Sequence, residues 1–203
     1  MQTVTGLFDS YDDARAAVRA LEDAGVASDH ISIVYYKDGK EEVEGQGNNA
    51  AEGAGTGAGI GAVAGGAGGL LTGLGMMAIP GVGPVVAAGW LAATAAGAVA
   101  GAVVGGAAGG IVGAMIESGV PEKDAQVYAE GIRRGGAVVA AKVESDKIVA
   151  AQSILDRSHA VNLGTRRDAY AAEGWTRFDE TADPYTSEQI EAERRRYRAD
   201  PRV

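Results

Sequence analysis

Between Glu52 and Glu117 the chain runs for 64 residues without an Asp, Glu, Lys, Arg or His. Of the 32 glycines, 21 lie in this stretch, and Ser is absent from it. A Gly/Ser linker does not look like this. Eighteen or more apolar residues without charge form a candidate membrane span. Ile79-Pro80-Gly81-Val82-Gly83-Pro84 divides the stretch with a turn signal, because Pro fixes φ and Gly permits positive φ. The arms are residues 54–78 and 85–118. A helix of about 25 residues reaches ~37 Å, against a hydrocarbon core of ~30 Å. Two such arms and a short turn predict an αα-hairpin.

Glycine spacing sharpens this reading. Gly53, Gly57, Gly61, Gly65, Gly69 and Gly73 recur every fourth residue, as do Gly89, Gly97, Gly101, Gly105, Gly109 and Gly113, with Ala93 filling the one gap. Residues four apart share a helix face, and a row of glycines lets another backbone approach closely. In water each glycine disfavours helix by about 1 kcal/mol relative to Ala. In hydrocarbon the backbone must bond internally, so helix is nearly forced. The predicted packing surface is Gly57, Gly61, Gly65, Gly69 and Gly73 against Gly97, Gly101, Gly105, Gly109 and Gly113. Gly and Ala insert less readily than Leu. Burial of the hairpins between subunits of a soluble homo-oligomer (ring, shell or filament) is therefore the alternative, since so large an apolar area does not persist on a soluble monomer. Lys37, Lys40 and Lys123 near the ends, and none in the turn, favour both ends on the cytoplasmic side.

The flanks are charged. Residues 1–52 carry 11 acids and 4 bases, and residues 117–203 carry 16 acids and 14 bases, which gives the chain its net −9. Residues 3–8 read as a strand. Ser10 then caps a helix with Asp13 as the box partner, Ala14, Ala17, Val18 and Leu21 form its apolar face, and Gly25 ends it. Residues 30–37 are a β-branched and aromatic strand. Beyond the hairpin, Pro121 opens a helix with Ala125, Tyr128, Ala129 and Ile132 on one face, and Gly135-Gly136 closes it. Residues 137–143 read as a strand. Ser145 caps a helix bearing Ile148, Ala151, Ile154 and Leu155, and residues 160–164 suggest a last short strand. The order β-α-β…β-α-β predicts an α+β fold, a ferredoxin-like split βαβ domain with an inserted glycine-zipper helical hairpin. The predicted units are 1–48 with 119–164, the hairpin 53–118, and a polar tail 165–203. In the tail, Thr186 or Ser187 caps a helix and Glu191 pairs with Arg195. The run Arg194-Arg195-Arg196 reads as part of a solvated or disordered tail, with attraction to anionic lipid as the sharper alternative.

Chemistry-bearing motifs are scarce. The chain has no Cys, which excludes disulfides and thiolate sites. The glycine stretch has no dinucleotide or phosphate-loop signature. His30 and His159 stand in no metal-ligand spacing. No catalytic residue, metal site or cofactor is expected, and the acidic balance disfavours nucleic acid. Arg133 and Arg134 beside Gly135-Gly136 could contact an anion, although charge complementarity at a helix C-terminus explains them equally well. A small-ligand regulatory domain is thus a further alternative.

The segment Gly6-Leu-Phe-Asp-Ser-Tyr-Asp-Asp-Ala14, the turn at 79–84, and the run from Gly119-Val-Pro-Glu122 through Tyr128 to Gly136 resemble the bacterial general stress protein 17M-like proteins. These are heat-induced stress proteins of the YflT type. The resemblance spans about residues 3–164. It implies a bacterial stress-response protein, often described as a membrane protein, with no established enzymatic activity and no catalytic residues to carry over. The combined expectation is a non-enzymatic, self-assembling protein in contact with membrane lipid. The hairpin would sit in the inner membrane and the α+β domain in the cytoplasm, or the whole would be cytoplasmic.

Overall fold

A computed structural model describes residues 1–36, 75–79, 82–94 and 110–199. The chain begins with β1 (Gln2–Phe8), α1 (Tyr11–Asp23), a 3-10 turn (Ser28–His30) and β2 (Ile31–Tyr36). β3 (Gly75–Ile79) and β4 (Gly83–Ala88) follow, then α2 (Gly110–Glu117), α3 (Glu122–Arg133) and β5 (Ala137–Val143). The remainder is helical: α4 (Ile148–Arg157), α5 (Leu163–Ala172) and α6 (Ser187–Ala199). The fold is α+β, built on a five-stranded antiparallel sheet in the order β1-β5-β2-β4-β3.

Local chemistry sets the first elements as expected. Ser10 Oγ accepts from the Asp13 amide (3.1 Å) and donates to the Asp13 carboxylate (2.6 Å), so the start of α1 is capped. Ala14, Ala17, Val18 and Leu21 are its buried face, and Gly25 follows at φ +83°. Alternation along β2 divides its side chains between two cores. Ile31, Ile33 and Tyr35 join Val4, Phe8, Val139 and Ala141 against α1 and α4. Val34 joins Leu7, Val138 and Ala140 against α2 and α3. The sheet is therefore covered on both faces.

Several expectations are corrected. Residues 75–78 and 85–88, read as parts of two helical arms, lie in strands, as do Ile79, Gly83 and Pro84 of the expected turn. β3 and β4 pair antiparallel and extend the sheet from β2, and Pro80 and Gly81 of the expected turn lie outside the described residues. Val85 and Val86 are β-branched, and β4 gives the backbone of residues 33–36 an antiparallel partner, with Tyr36 opposite Val85 and Ile33 opposite Ala88.

The end of the second arm is also drawn into this core. Leu91, Ala92, Ile111, Val112, Ala114 and Met115 pack with Val34, Ala125, Ile132 and Val138. Gly89, at φ +88°, is pressed onto β2. A Cβ there would stand 2.2 Å from the Ile31 carbonyl oxygen. The buried Ser32 Oγ accepts from the Leu91 amide (2.8 Å), which starts a helical turn at residues 90–94.

The last expected strand is not formed. Val161 N–H donates to the Leu7 carbonyl (2.7 Å) beside β1, but Asn162 then caps the Thr165 amide (3.0 Å) and starts α5. Nor does Ser145 cap α4, whose N-cap position is Lys147, without a side-chain cap.

Finally, the tail packs against the domain. Tyr170 and Tyr197 are buried with Val127 of α3 in a third apolar cluster. Thr186 and Gln189 form a reciprocal capping box at the start of α6: the Thr186 amide donates to Gln189 Oε1 (2.9 Å) and the Gln189 amide to Thr186 Oγ1 (3.3 Å).

Candidate functional site

The run Glu130-Gly131-Ile132-Arg133-Arg134-Gly135-Gly136 joins α3 to β5. Its glycines permit close approach. A Cβ at Gly131 would lie 2.6 Å from Leu7 Cδ1, and one at Gly136 would lie 2.9 Å from two carbonyl oxygens, those of Gly131 and Phe8. Gly135 takes φ +93° and lies against Ile190 of α6. The helix end, β1 and the C-terminal helices therefore converge here.

Burial of Glu130 is complete, and a buried carboxylate needs charged partners. Arg134 Nε donates to Glu130 Oε1 at 2.7 Å, and Arg133 Nη1 reaches both carboxylate oxygens at 3.2 and 3.3 Å. Arg134 continues outward through Nη1 to Glu173 (2.6 Å) and Glu193 (3.2 Å). Burial works against its charge, but the hydrogen bond and charge of Glu130 outweigh this and hold the guanidinium protonated beyond its ordinary range. Arg133 donates to the Asp183 carbonyl (3.1 Å) and covers the Tyr185 ring at 4.7 Å.

A second guanidinium lies alongside. Arg166 is 2% exposed and donates two parallel bonds to Asp9 (2.8 and 2.9 Å). Its Cζ is 3.6 Å from the Tyr197 ring centroid. The Arg134 Cζ is 4.1 Å from the Tyr170 ring, which meets Trp175 edge-on at 5.7 Å. Burial pushes the Tyr170 hydroxyl up to about 12, with the charge of Arg166 opposing. Tyr197 donates to Glu193 (2.8 Å), and its own hydroxyl is pushed upward, first by burial.

The recess among Asp9, Arg134, Arg166, Tyr170, Arg194 and Tyr197 has room for about one water molecule. Chemically the arrangement is a clasp. Acids and guanidiniums neutralise one another while fixing α5 and α6 to the 130–136 run. Arg133 and Arg134, read as possible anion contacts, are held by protein carboxylates and carbonyls. Arg194 donates to the Gly135 carbonyl (3.0 Å), Arg195 meets Glu191 (3.7 Å), and Arg196 pairs with Glu173 and Glu193. Protein partners thus take up the tail's basic run at 194–196. His30 contributes its carbonyl to Trp90 Nε1 (3.0 Å), and His159 is exposed beside Asp13 (3.3 Å).

Of the predicted glycine surface, Gly113 lies in α2. Gly57, Gly61, Gly65, Gly69, Gly73, Gly97, Gly101, Gly105 and Gly109 lie outside the described residues. No helix among the described residues is long and apolar enough to cross a membrane. Sequence reasoning missed the clasp of Asp9, Glu130, Arg166, Tyr170, Glu173, Glu193 and Tyr197. A signal was present: five of the chain's 11 aromatic residues (Tyr170, Trp175, Phe178, Tyr185, Tyr197) stand in the last 39 positions, which is unlike a disordered tail.

Residues 3–82 match the family described as the heat induced stress protein YflT domain. The match ends at the β3–β4 turn, well short of the 3–164 span over which the motifs resemble that family. No curated protein and no solved structure matches the chain.

Proposed function

We propose, from the match of residues 3–82 to the heat induced stress protein YflT domain, that the protein has a stress-related role and acts without catalysis, by self-assembly. The β1-β5-β2 portion serves as a ferredoxin-like core, with α1 and α4 on one face. The glycine rows are the surfaces through which copies join. Gly61, Gly65 and Gly69 of one row and Gly101, Gly105 and Gly109 of the other are the positions where a larger side chain would separate them.

One observation carries this reading. The middle and the C-terminal end of the charge-free stretch are built into the sheet domain, through β3, β4, the 90–94 turn and α2. What remains of the second arm is residues 95–109. As a helix those 15 residues would reach ~22 Å, short of the ~30 Å a bilayer core demands. That favours a homo-oligomer burying its glycine rows between subunits over a two-span membrane hairpin. A membrane-associated form is the second reading, supported by residues 53–74. Those 22 uncharged residues would reach ~33 Å as a helix.

Fractionation separates the two. Recovery without detergent, at a hydrodynamic size several times that of one chain, supports the oligomer. Retention in the membrane pellet after a carbonate wash supports the second reading. A soluble monomer contradicts both.

A further inference from the structure

The two edges of the sheet differ. At β1 the outer edge is met by the 160–162 segment, where Val161 N–H donates to the Leu7 carbonyl. At the opposite end β3 pairs with β4 on one side, and no described residue pairs with its other side. Edge strands are ordinarily blunted by Lys, Pro, a bulge or a covering element, because their free N–H and C=O groups template further pairing. The β3 sequence, Gly75-Met-Met-Ala-Ile79, carries no charge and no proline.

We infer that the outer edge of β3 pairs antiparallel with β3 of a second copy of this chain, joining two five-stranded sheets into one. The inference rests on the self-assembly reading and names where copies first meet. Charge singles out this occupant. A chain of net −9 repels its own copies over most of its surface. β3 and its neighbour β4 lie inside the one long stretch free of charge. A two-fold axis at Met77 sets Met77 opposite Met77, Met76 opposite Ala78, and Gly75 opposite Ile79, with no like charges opposed.

The absence of cysteine from the chain gives a direct test. Residues directly opposite in an antiparallel pair have Cα atoms about 4.5–5.5 Å apart, within disulfide range. Under mild oxidation Met77→Cys should shift from the 20.5 kDa chain to a covalent dimer on a non-reducing gel. Val149→Cys, on exposed α4, should not. Because Met77→Cys could perturb folding, a second arm uses Met76→Cys and Ala78→Cys. Each alone should remain uncross-linked, and an equimolar mixture should cross-link. If the native chain is oligomeric but Met77→Cys links no more than Val149→Cys, and the mixture stays unlinked, the β3 inference is overturned and self-assembly stands. If the native chain is monomeric and nothing links, both fall.

Discussion

Arg166 sits over the Tyr197 ring, with its Cζ 3.6 Å from the centroid, while its two Nη atoms hold the Asp9 carboxylate. One side chain of α5 therefore ties the loop after β1 to the last helix. Such a contact combines a bidentate ion pair with stacking on an aromatic face, and Lys can reproduce neither.

Replacing Arg166 with Leu should consequently loosen the C-terminal helices first. A loss of about 2–4 kcal/mol is expected, toward the lower part of the range for breaking buried pairs because Asp9 is partly solvated. Hydrogen exchange at residues 187–199 should accelerate more than exchange in β5. Arg166→Lys should recover only part of the protection. Uniform acceleration across the sheet would show that Arg166 supports the whole fold and not the clasp.

Alkaline pH offers a second handle. Burial pushes the hydroxyls of Tyr128 and Tyr170 up to about 12, from an ordinary value near 10. Their folded-state pKa is raised, so the stability they contribute is complete below about pH 10 and is lost as pH rises from about 10 to about 12. Each contributes a slope of roughly 1.4 kcal/mol per pH unit across that window. Tyr170→Phe should flatten the fall in denaturation midpoint over this range. An unchanged slope in Tyr170→Phe and Tyr128→Phe would contradict the assignment.

Gly89 and Gly25 form a matched pair for separating backbone strain from crowding. Both have positive φ, +88° and +83°. A Cβ at Gly25 meets nothing within 4 Å, whereas one at Gly89 would sit 2.2 Å from the Ile31 carbonyl oxygen. Gly25→Ala should cost about 1–2 kcal/mol, the strain of the left-handed conformation alone. Gly89→Ala should cost clearly more and weaken protection of the β2–β4 pairing. Equal losses, measured by chemical denaturation, would show that the 89–94 turn is not pressed onto β2.

Much of the fold is legible in residue pattern where the determinants are local. Ser10 with Asp13, the Ala14-Ala17-Val18-Leu21 face, and the alternation of residues 31–36 each specify their element within a few positions. Periodicity failed at residues 75–88. The fourfold glycine rows stop at Gly73 and resume at Gly89, and carrying the helical arms beyond them suggested helix, while the deciding interaction was pairing of β4 with the distant strand β2. The clasp was hidden for the same reason. Arg166 and Asp9 are 157 positions apart, and nothing near either residue marks the partner. The aromatic residues of the last 39 positions were the readable clue that the tail packs. Their partners on α3 were not readable, because only the folded chain brings Val127 to Tyr170 and Tyr197.

If glycine-lined surfaces join copies of this chain, its mass in solution depends on them. Sedimentation equilibrium in detergent-free buffer measures that dependence by comparing the native protein with a Gly65→Leu, Gly105→Leu double variant. The native protein should sediment as a multiple of 20.5 kDa, and the folded variant should fall to smaller species. A native protein that sediments as a single chain, or a variant that assembles to the same mass as its parent, would contradict the claim.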